Sequence, residues 1–413
     1  MTDNMFFSDQ QGKKLMSQKI DGQLIKTDRT KNHPLEQSPS VESQFSRVVE
    51  HSDWHEVTRS HQEKTQQDVL KALAKDKLTV DDFTALISPA AEPYLLDMVA
   101  KSEALTKQRF GNTLSLFAPL YLSNTCANEC TYCGFSMSNA IKRLTLDEAQ
   151  IKKEVAAIKG KGFDHILLVT GETKRVSMPY FERMLPLIKP SFSQLSMEVQ
   201  PLEADEYQRL KNIGLDAVLV YQETYRRQTY LEHHLRGNKS NFNHRLDAPD
   251  RIGQAGLHKI GLGVLLGLED WRTDSIMMAH HLRHLQKHYW RSRFSVAFPR
   301  IRPCEGGIQP KSVISDRQLI QLIAAWRLFD RDLEMSLSTR ESAEFRHHAI
   351  RMGFTTMSAE SKTQPGGYAD DAEVALEQFE ISDERSVQEI AEMIRSQGKE
   401  VVWKDWDPSL SGL

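Results

Sequence analysis

Cysteine is scarce in this chain, four residues in 413, and that scarcity excludes a small scaffold stapled by disulfides. Basic charge is not in excess: 53 Lys and Arg against 56 Asp and Glu leave a net charge of −3. The electrostatic footprint of a protein that grips nucleic acid is therefore missing, and no basic stripe replaces it. Long apolar runs are absent as well. Runs such as Leu262 to Leu268 fall far short of the roughly 20 residues that span a bilayer, so no membrane role is expected. The opening Met-Thr-Asp-Asn-Met-Phe-Phe has neither the apolar core nor the small-residue cleavage site of a secretory signal. The expectation is a reduced, cytoplasmic setting. With 39% hydrophobic residues, the chain is still long enough to bury a substantial core.

The cysteines that do exist are concentrated. Cys126, Cys130 and Cys133 fall within eight positions, spaced C-x3-C-x2-C, just after the apolar run from Leu116 to Leu122. Three thiolates on one short loop can hold three corners of an iron–sulfur cube, which four cysteines normally hold. The fourth iron then keeps an open position, as catalytic metals do and structural ones do not. A structural zinc site would require a fourth Cys or His nearby, and no His lies between Cys126 and Asp164. Three neighbouring cysteines cannot pair off evenly as disulfides. Cys304 stands alone and reads as a small packed residue or pocket wall.

The chain divides by composition. Residues 1–45 are polar, interrupted by Pro34 and Pro39, and read as a flexible extension. Residues 46–112 read as a helical region: Val69, Leu70, Leu73 and Ala74 share a face, Thr79-Val-Asp-Asp82 resembles a helix cap, and Pro93 to Thr106 forms a further helix. From 113 to 375 the pattern becomes strand then helix, repeated. Strands are expected at 116–122, 165–169, 195–199, 217–221, 259–265, 294–298, 334–337 and 355–357. A capping box at Thr145-Leu-Asp-Glu148 opens the first intervening helix, and a polar insert occupies Thr229 to Arg245. Eight such units, with strands apolar enough to be buried on both faces, predict an α/β fold of the closed (βα)8 barrel type. An open doubly wound sheet is the alternative, but no G-x-G-x-x-G follows the first strand. Residues 376–413 are expected to be a C-terminal extension packed on the barrel.

Barrel chemistry sits at the carboxyl ends of the strands. Strand two runs into Gly171 and Glu172, strand three into Glu198, and strand four into a dense polar and aromatic cluster containing Tyr225. Glycines on strand five, Gly263 among them, permit a flat group to approach the backbone, although a barrel bend explains them as well. Strand six ends Phe298-Pro-Arg300-Ile-Arg302-Pro, and strand seven ends Ser338-Thr-Arg340. Arginines flanked by prolines suit bidentate capture of a carboxylate, Arg302 first, then Arg300 or Arg340, with Ser338 as a neutral donor. One of them is equally readable as a salt-bridge partner. The glycine-rich Ser361 to Tyr368 reads as a lid turn.

The cysteine spacing, with Tyr132 in an aromatic slot before Cys133, resembles the cluster loop of the radical S-adenosylmethionine (SAM) superfamily. Together, CANECTYCGFSMSN (126–139), LLVTGE (167–172), MEVQPL (197–202), YQETY (221–225), DRIGQAGLHKIGLG (250–263), FPRIRPC (298–304), LSTRE (337–341) and KTQPGGYAD (362–370) resemble the tyrosine lyases of thiamine biosynthesis. The resemblance runs from about Gln44 to Trp406. It implies one 4Fe–4S cluster on Cys126, Cys130 and Cys133. It implies SAM bound near Tyr132, with Gly171 and Glu172 at its amino group, Glu198 at its ribose and Gly263 at its adenine. L-Tyrosine, held by the arginines with Tyr225 on the phenol side, would be cleaved between Cα and Cβ to 2-iminoacetate and p-cresol. Thiazole synthase is the implied protein partner and a flavodoxin- or ferredoxin-type protein the electron donor. The neighbouring lyases of hydrogenase maturation carry a second cluster on a C-terminal cysteine pair, and no cysteine follows Cys304 here. A lyase of tryptophan or of a deazaflavin precursor is the alternative within the same class.

Overall fold

Eight strands pair in parallel and the last returns to the first. A computed structural model describes residues 44–369 and 377–404. Its strands are β1 (Thr113–Ser123), β2 (His165–Thr170), β3 (Gln194–Glu198), β4 (Ala217–Glu223), β5 (Lys259–Val264), β6 (Arg293–Ala297), β7 (Glu334–Leu337) and β8 (Thr356–Ser358). Each pairs with its successor, and β8 pairs with β1 through Ser115↔Thr356, Leu116↔Met357 and Phe117↔Ser358. That closing register makes the barrel and removes the open-sheet alternative. Each of the eight expected strands is present within a few residues of its expected bounds.

Side chains alternate across the barrel wall. Leu116, Leu120, Ile166, Leu168, Val218, Val220, Ile260 and Leu262 point outward into one continuous core with the helices. Each such burial contributes about 1.5–3 kcal/mol, which is what holds helices to sheet. The inward positions differ from the uniformly apolar strands expected. At the amino end, Lys259 Nζ meets Glu334 Oε2 at 2.6 Å and His165 Nε2 lies 3.0 Å from Ser196 Oγ, a plug of paired polar groups. Burial pushes the His165 imidazole down to about 3, so it is neutral there. Higher up, Phe117, Tyr121, Glu198, Tyr221 and Ser338 face a cavity.

The helices of the N-terminal region (Gln44–Glu50, Trp54–Gln62, Gln66–Leu73, Val80–Ile87 and Leu95–Phe110) cover one flank of the barrel. Thr65 and Thr79 each close a capping box, the second as expected. Gln321 Nε2 donates to Leu86 O and Ser88 O, and Phe83 packs on Trp326, so this region braces the helix Asp316–Phe329 rather than the cavity. Of the expected extension at 1–45, residues 1–43 lie outside the described residues, and a helix has already begun at Gln44. The helix expected to be capped at Thr145 starts at Glu148, with Asp147 as its cap. Thr145 instead bridges Ser123 at the end of β1, where the two hydroxyls lie 2.8 Å apart. The supposed polar insert at 229–245 is ordered as helix Arg227–His233, strand His234–Arg236 and helix Phe242–Leu246. At the far end, helix Val387–Ser396 leads to β9 (Glu400–Val402), which pairs with the first residues of β1. Among the described residues no helix is long and apolar enough to cross a membrane.

Candidate active site

At the carboxyl ends of the strands lies a cavity that opens to solvent at its mouth. Cys126, Cys130 and Cys133 line one side of it. Their loop is held by its own backbone carbonyls: the Arg143 guanidinium donates to Asn124 O, Phe135 O, Ser136 O and Asn139 O. Cys130 N donates to Ser136 Oγ at 2.9 Å, and Glu129–Cys130 pairs with His234–Arg236. Gly171 is required beneath the loop, since a Cβ there would lie 2.4 Å from Thr125 O.

The three thiols fit an iron–sulfur cluster better than a single ion. Among the described residues no three His, Cys, Asp or Glu side chains converge on one point as a mononuclear metal needs. Thiolates that each hold a different iron of a cube need not converge. Burial pushes the Cys126 and Cys130 thiols up, and each sits in the field of Cys133. A cationic iron core is the chemistry that would make three such thiolates compatible. Cys304 stands apart: its thiol donates to Tyr132 O at 3.2 Å, and it is not among the residues facing the cavity.

Beside the cysteines runs a charged wall. Glu172 accepts from Arg245 Nη1 and Asn128 Nδ2, both at 2.9 Å, so its carboxylate is already matched to a guanidinium. Arg245 also donates to Tyr221 O and approaches Glu223. Lys239 Nζ binds Glu223 Oε1 at 2.7 Å and stands 5.6 Å from the centre of the Tyr132 ring. Burial and Arg245 oppose its charge, but Glu223, Cys130 and Glu172 outweigh them and hold its ammonium above the ordinary range. Tyr132 reaches His234 Nε2 at 2.7 Å. Burial, with Glu223 adding repulsion, pushes the Glu198 carboxyl up to about 7. A carboxyl near that value exchanges a proton readily at neutral pH.

The opposite wall corrects the expected order of the arginines. Arg340 and Ser338 face the cavity, and the Arg340 guanidinium lies 3.5 Å from the centre of the Phe379 ring. Arg300 does not face it; its guanidinium is spent on Glu341 and Asp316. Nor does Arg302, which points toward Glu380 at 3.9 Å. Gly263 does not line the cavity either. A Cβ there would meet the Tyr221 ring at 2.4 Å, so this glycine makes room for a tyrosine that does line it.

Tyr225 also departs from expectation. The register of β4 slips between Tyr221 and Glu223, and Glu223 adopts φ +71°. Past that bulge, Asp274 Oδ1 accepts from Thr224 Oγ1 and Tyr225 N, drawing the chain out of the wall. Tyr225 ends fully buried outside the barrel, bonded to His281 Nδ1 at 2.9 Å. Lys239, Arg245, Tyr121, Tyr221 and Gln378 are site residues that sequence reasoning missed. Tyr221 was discoverable by period-two counting from Leu219 and Tyr121 by the same counting from Phe117; Lys239, Arg245 and Gln378 come from segments read as insert or tail.

Residues 120–278 match the radical SAM superfamily and 297–400 the Biotin and Thiamin Synthesis associated domain. The chain is 56% identical over 360 residues to the 2-iminoacetate synthase of Escherichia coli K12, covering 87% of this chain and 95% of that protein. It is 54% identical over 357 residues to the Salmonella typhimurium enzyme of the same name, covering 86% and 94%. Among solved structures it is similar to HydG, a maturase of the FeFe-hydrogenase, with a TM-score of 0.81 and 28% identity over 87% of this chain and 81% of that one.

Proposed function

The chain belongs to the 2-iminoacetate synthases of the radical SAM superfamily, and from that membership we propose that it cleaves L-tyrosine between Cα and Cβ to 2-iminoacetate and p-cresol. SAM is consumed as methionine and 5′-deoxyadenosine, and the product feeds thiazole formation in thiamine biosynthesis. One observation carries the reading at the level of residues: the thiols of Cys126, Cys130 and Cys133 and the guanidinium of Arg340 face the same cavity.

In this reading Cys126, Cys130 and Cys133 hold one 4Fe–4S cluster. When bound, that cluster with SAM at its open iron supplies the one-electron chemistry that splits the sulfonium. The protein's residues orient and exclude. Gly171, Glu172 and Tyr132 border the SAM methionine end, and Glu198 is placed for the ribose hydroxyls. Lys239 and Arg245 add the positive charge that a SAM carboxylate needs. Arg340, braced by Phe379, binds the tyrosine carboxylate, with Ser338 beside it; Arg302 and Arg300 shape the wall behind them. Tyr121, Phe117 and Phe135 give the tyrosine ring an apolar, water-poor flank. A flavodoxin- or ferredoxin-type protein is the proposed electron donor, thiazole synthase the proposed recipient of the imine, and the cytoplasm the proposed compartment.

The structural likeness to HydG favours a second reading, a lyase of the hydrogenase-maturation type. Only three of the four cysteines face the cavity, and the proposal is a single cluster, with the reaction stopping at the imine. Anaerobic reconstitution with iron, sulfide, SAM, dithionite and tyrosine tests both. Stoichiometric p-cresol and glyoxylate from the hydrolysed imine is the expected result. Carbon monoxide or cyanide among the products, or turnover of tryptophan instead, would overturn it.

A further inference from the structure

A strap formed by residues 377–383 crosses the barrel mouth and is tied to four separate parts of it. Gln378 N donates to Thr363 O, Glu380 N to Pro303 O, and Ser382 N and Asp383 N both to Thr339 O. Gly134 N, next to the third cluster cysteine, donates to Gln378 O at 3.1 Å. The far end is pinned by the Asp383 carboxylate, wholly buried and bonded to Arg346 and Arg385. Gly134 has to be glycine for this contact, because a Cβ there would stand 2.6 Å from Gln378 O.

The strap delivers one polar side chain to the cluster loop. Tyr121 OH donates to Gln378 Oε1 at 2.8 Å, and Gln378 Nε2 lies 3.6 Å from Cys133 Sγ. The two bonds fix the amide's orientation. With its oxygen occupied by the phenol proton, the NH2 group must face the sulfur; the flipped amide would set a carbonyl oxygen against a thiolate. Phe379, the next residue, braces Arg340 on the other wall.

We propose that Gln378 is a positioning residue whose N–H···S bond to the Cys133 thiolate raises the reduction potential of the cluster, making it accessible to a biological electron donor. The inference rests on the cluster assignment of the preceding section. A hydrogen bond to a ligand sulfur favours the form carrying more negative charge, which is the reduced one. Hydrogen bonds to charged groups contribute enough for about a tenfold change in the ratio of reduced to oxidised cluster at a given solution potential, or 59 mV for a one-electron couple.

The test is an anaerobic redox titration of reconstituted full-length protein, followed by the electron paramagnetic resonance signal of the reduced cluster. Gln378→Leu keeps the volume and removes both bonds; its midpoint should move to more negative potential by about that tenfold ratio. An unshifted midpoint in Gln378→Leu overturns the inference. If that variant takes up no cluster, Gln378→Met decides, since its unbranched side chain of similar length fills the same space without the N–H donor. A negative shift supports the inference and no shift overturns it. Wild-type protein that forms no reducible cluster fails the underlying assignment; wild-type protein that makes p-cresol while both variants titrate like it fails the inference alone.

Discussion

Tyr221 and Tyr225 stand four residues apart at the end of one strand and serve opposite sides of the barrel wall. Tyr221 faces the cavity beside Glu198, Glu223 and Arg245. Tyr225 joins an outer cluster in which Phe45 stacks on His281 at 4.1 Å and His284 meets Asp250. Both clusters are aromatic, polar and buried, and by residue type they are hard to tell apart. Their difference is open space. In the outer cluster, stacked rings and hydrogen bonds such as Tyr225 to His281 Nδ1 and His284 to Asp250 Oδ1 engage most of the polar groups, leaving His281 Nε2 and Asp250 Oδ2 without a partner. In the inner one, charges of both signs and three thiols surround an open volume. A dense polar cluster at a strand end is thus no sign of chemistry until the pleat and any bulge show which side of the wall it takes.

The contrast can be broken most severely at the thiols. Serine at any one of positions 126, 130 or 133 should abolish cluster absorbance and reduce 5′-deoxyadenosine and p-cresol formation to background, with the barrel's circular dichroism retained. A variant that still makes both products would remove that thiol from the site. In the outer cluster the effect should reverse: Phe45→Ala is expected to cost about 3–5 kcal/mol of stability in denaturant titration, while the KM for tyrosine in the remaining native protein stays put. A shifted KM would show that the two clusters communicate.

Within the cavity wall, Arg340→Ala should raise the tyrosine KM by about 10- to 100-fold, the loss of one charge-assisted bond. Arg302→Ala should leave it near wild type; the opposite order would restore Arg302 as the anchor. The mildest test uses pH. Burial holds His281 down at about 3 against roughly 6.5 in the unfolded chain. A depressed pKa means its stabilisation is complete above pH 6.5 and is lost as pH falls toward 3, by up to about 1.4 kcal/mol per unit. His281 packs against Tyr225 and Phe45, with Asp250 and His284 as the nearest titratable neighbours. His281→Phe should therefore flatten the acid limb of unfolding free energy against pH, and an unchanged limb would show that other groups set it.

Most of the architecture was legible because it is local. Strands β1 to β8 announced themselves as short apolar runs at regular intervals, and Thr79 as a cap. The cysteine loop stood out because three cysteines in eight positions have few other uses. The placement of the arginines was not legible, because proline flanks say nothing about where a guanidinium finds its carboxylate. Glu341 lies 41 residues beyond Arg300 in the chain and took it out of the site.

The chain's linear pattern determined the barrel, the cysteine loop and the family, since all three depend on spacing between near neighbours. Tertiary structure alone decided which side chains reach the cavity. Lys239 and Arg245 enter it only because the segment after β4 folds back on the cysteine loop. Gln378 enters only because a strap from the far end of the chain is anchored by a buried ion pair 37 residues apart in sequence. Such contacts are set by the closure of the sheet and by charge pairing across it, neither of which leaves a periodic trace in the amino-acid order.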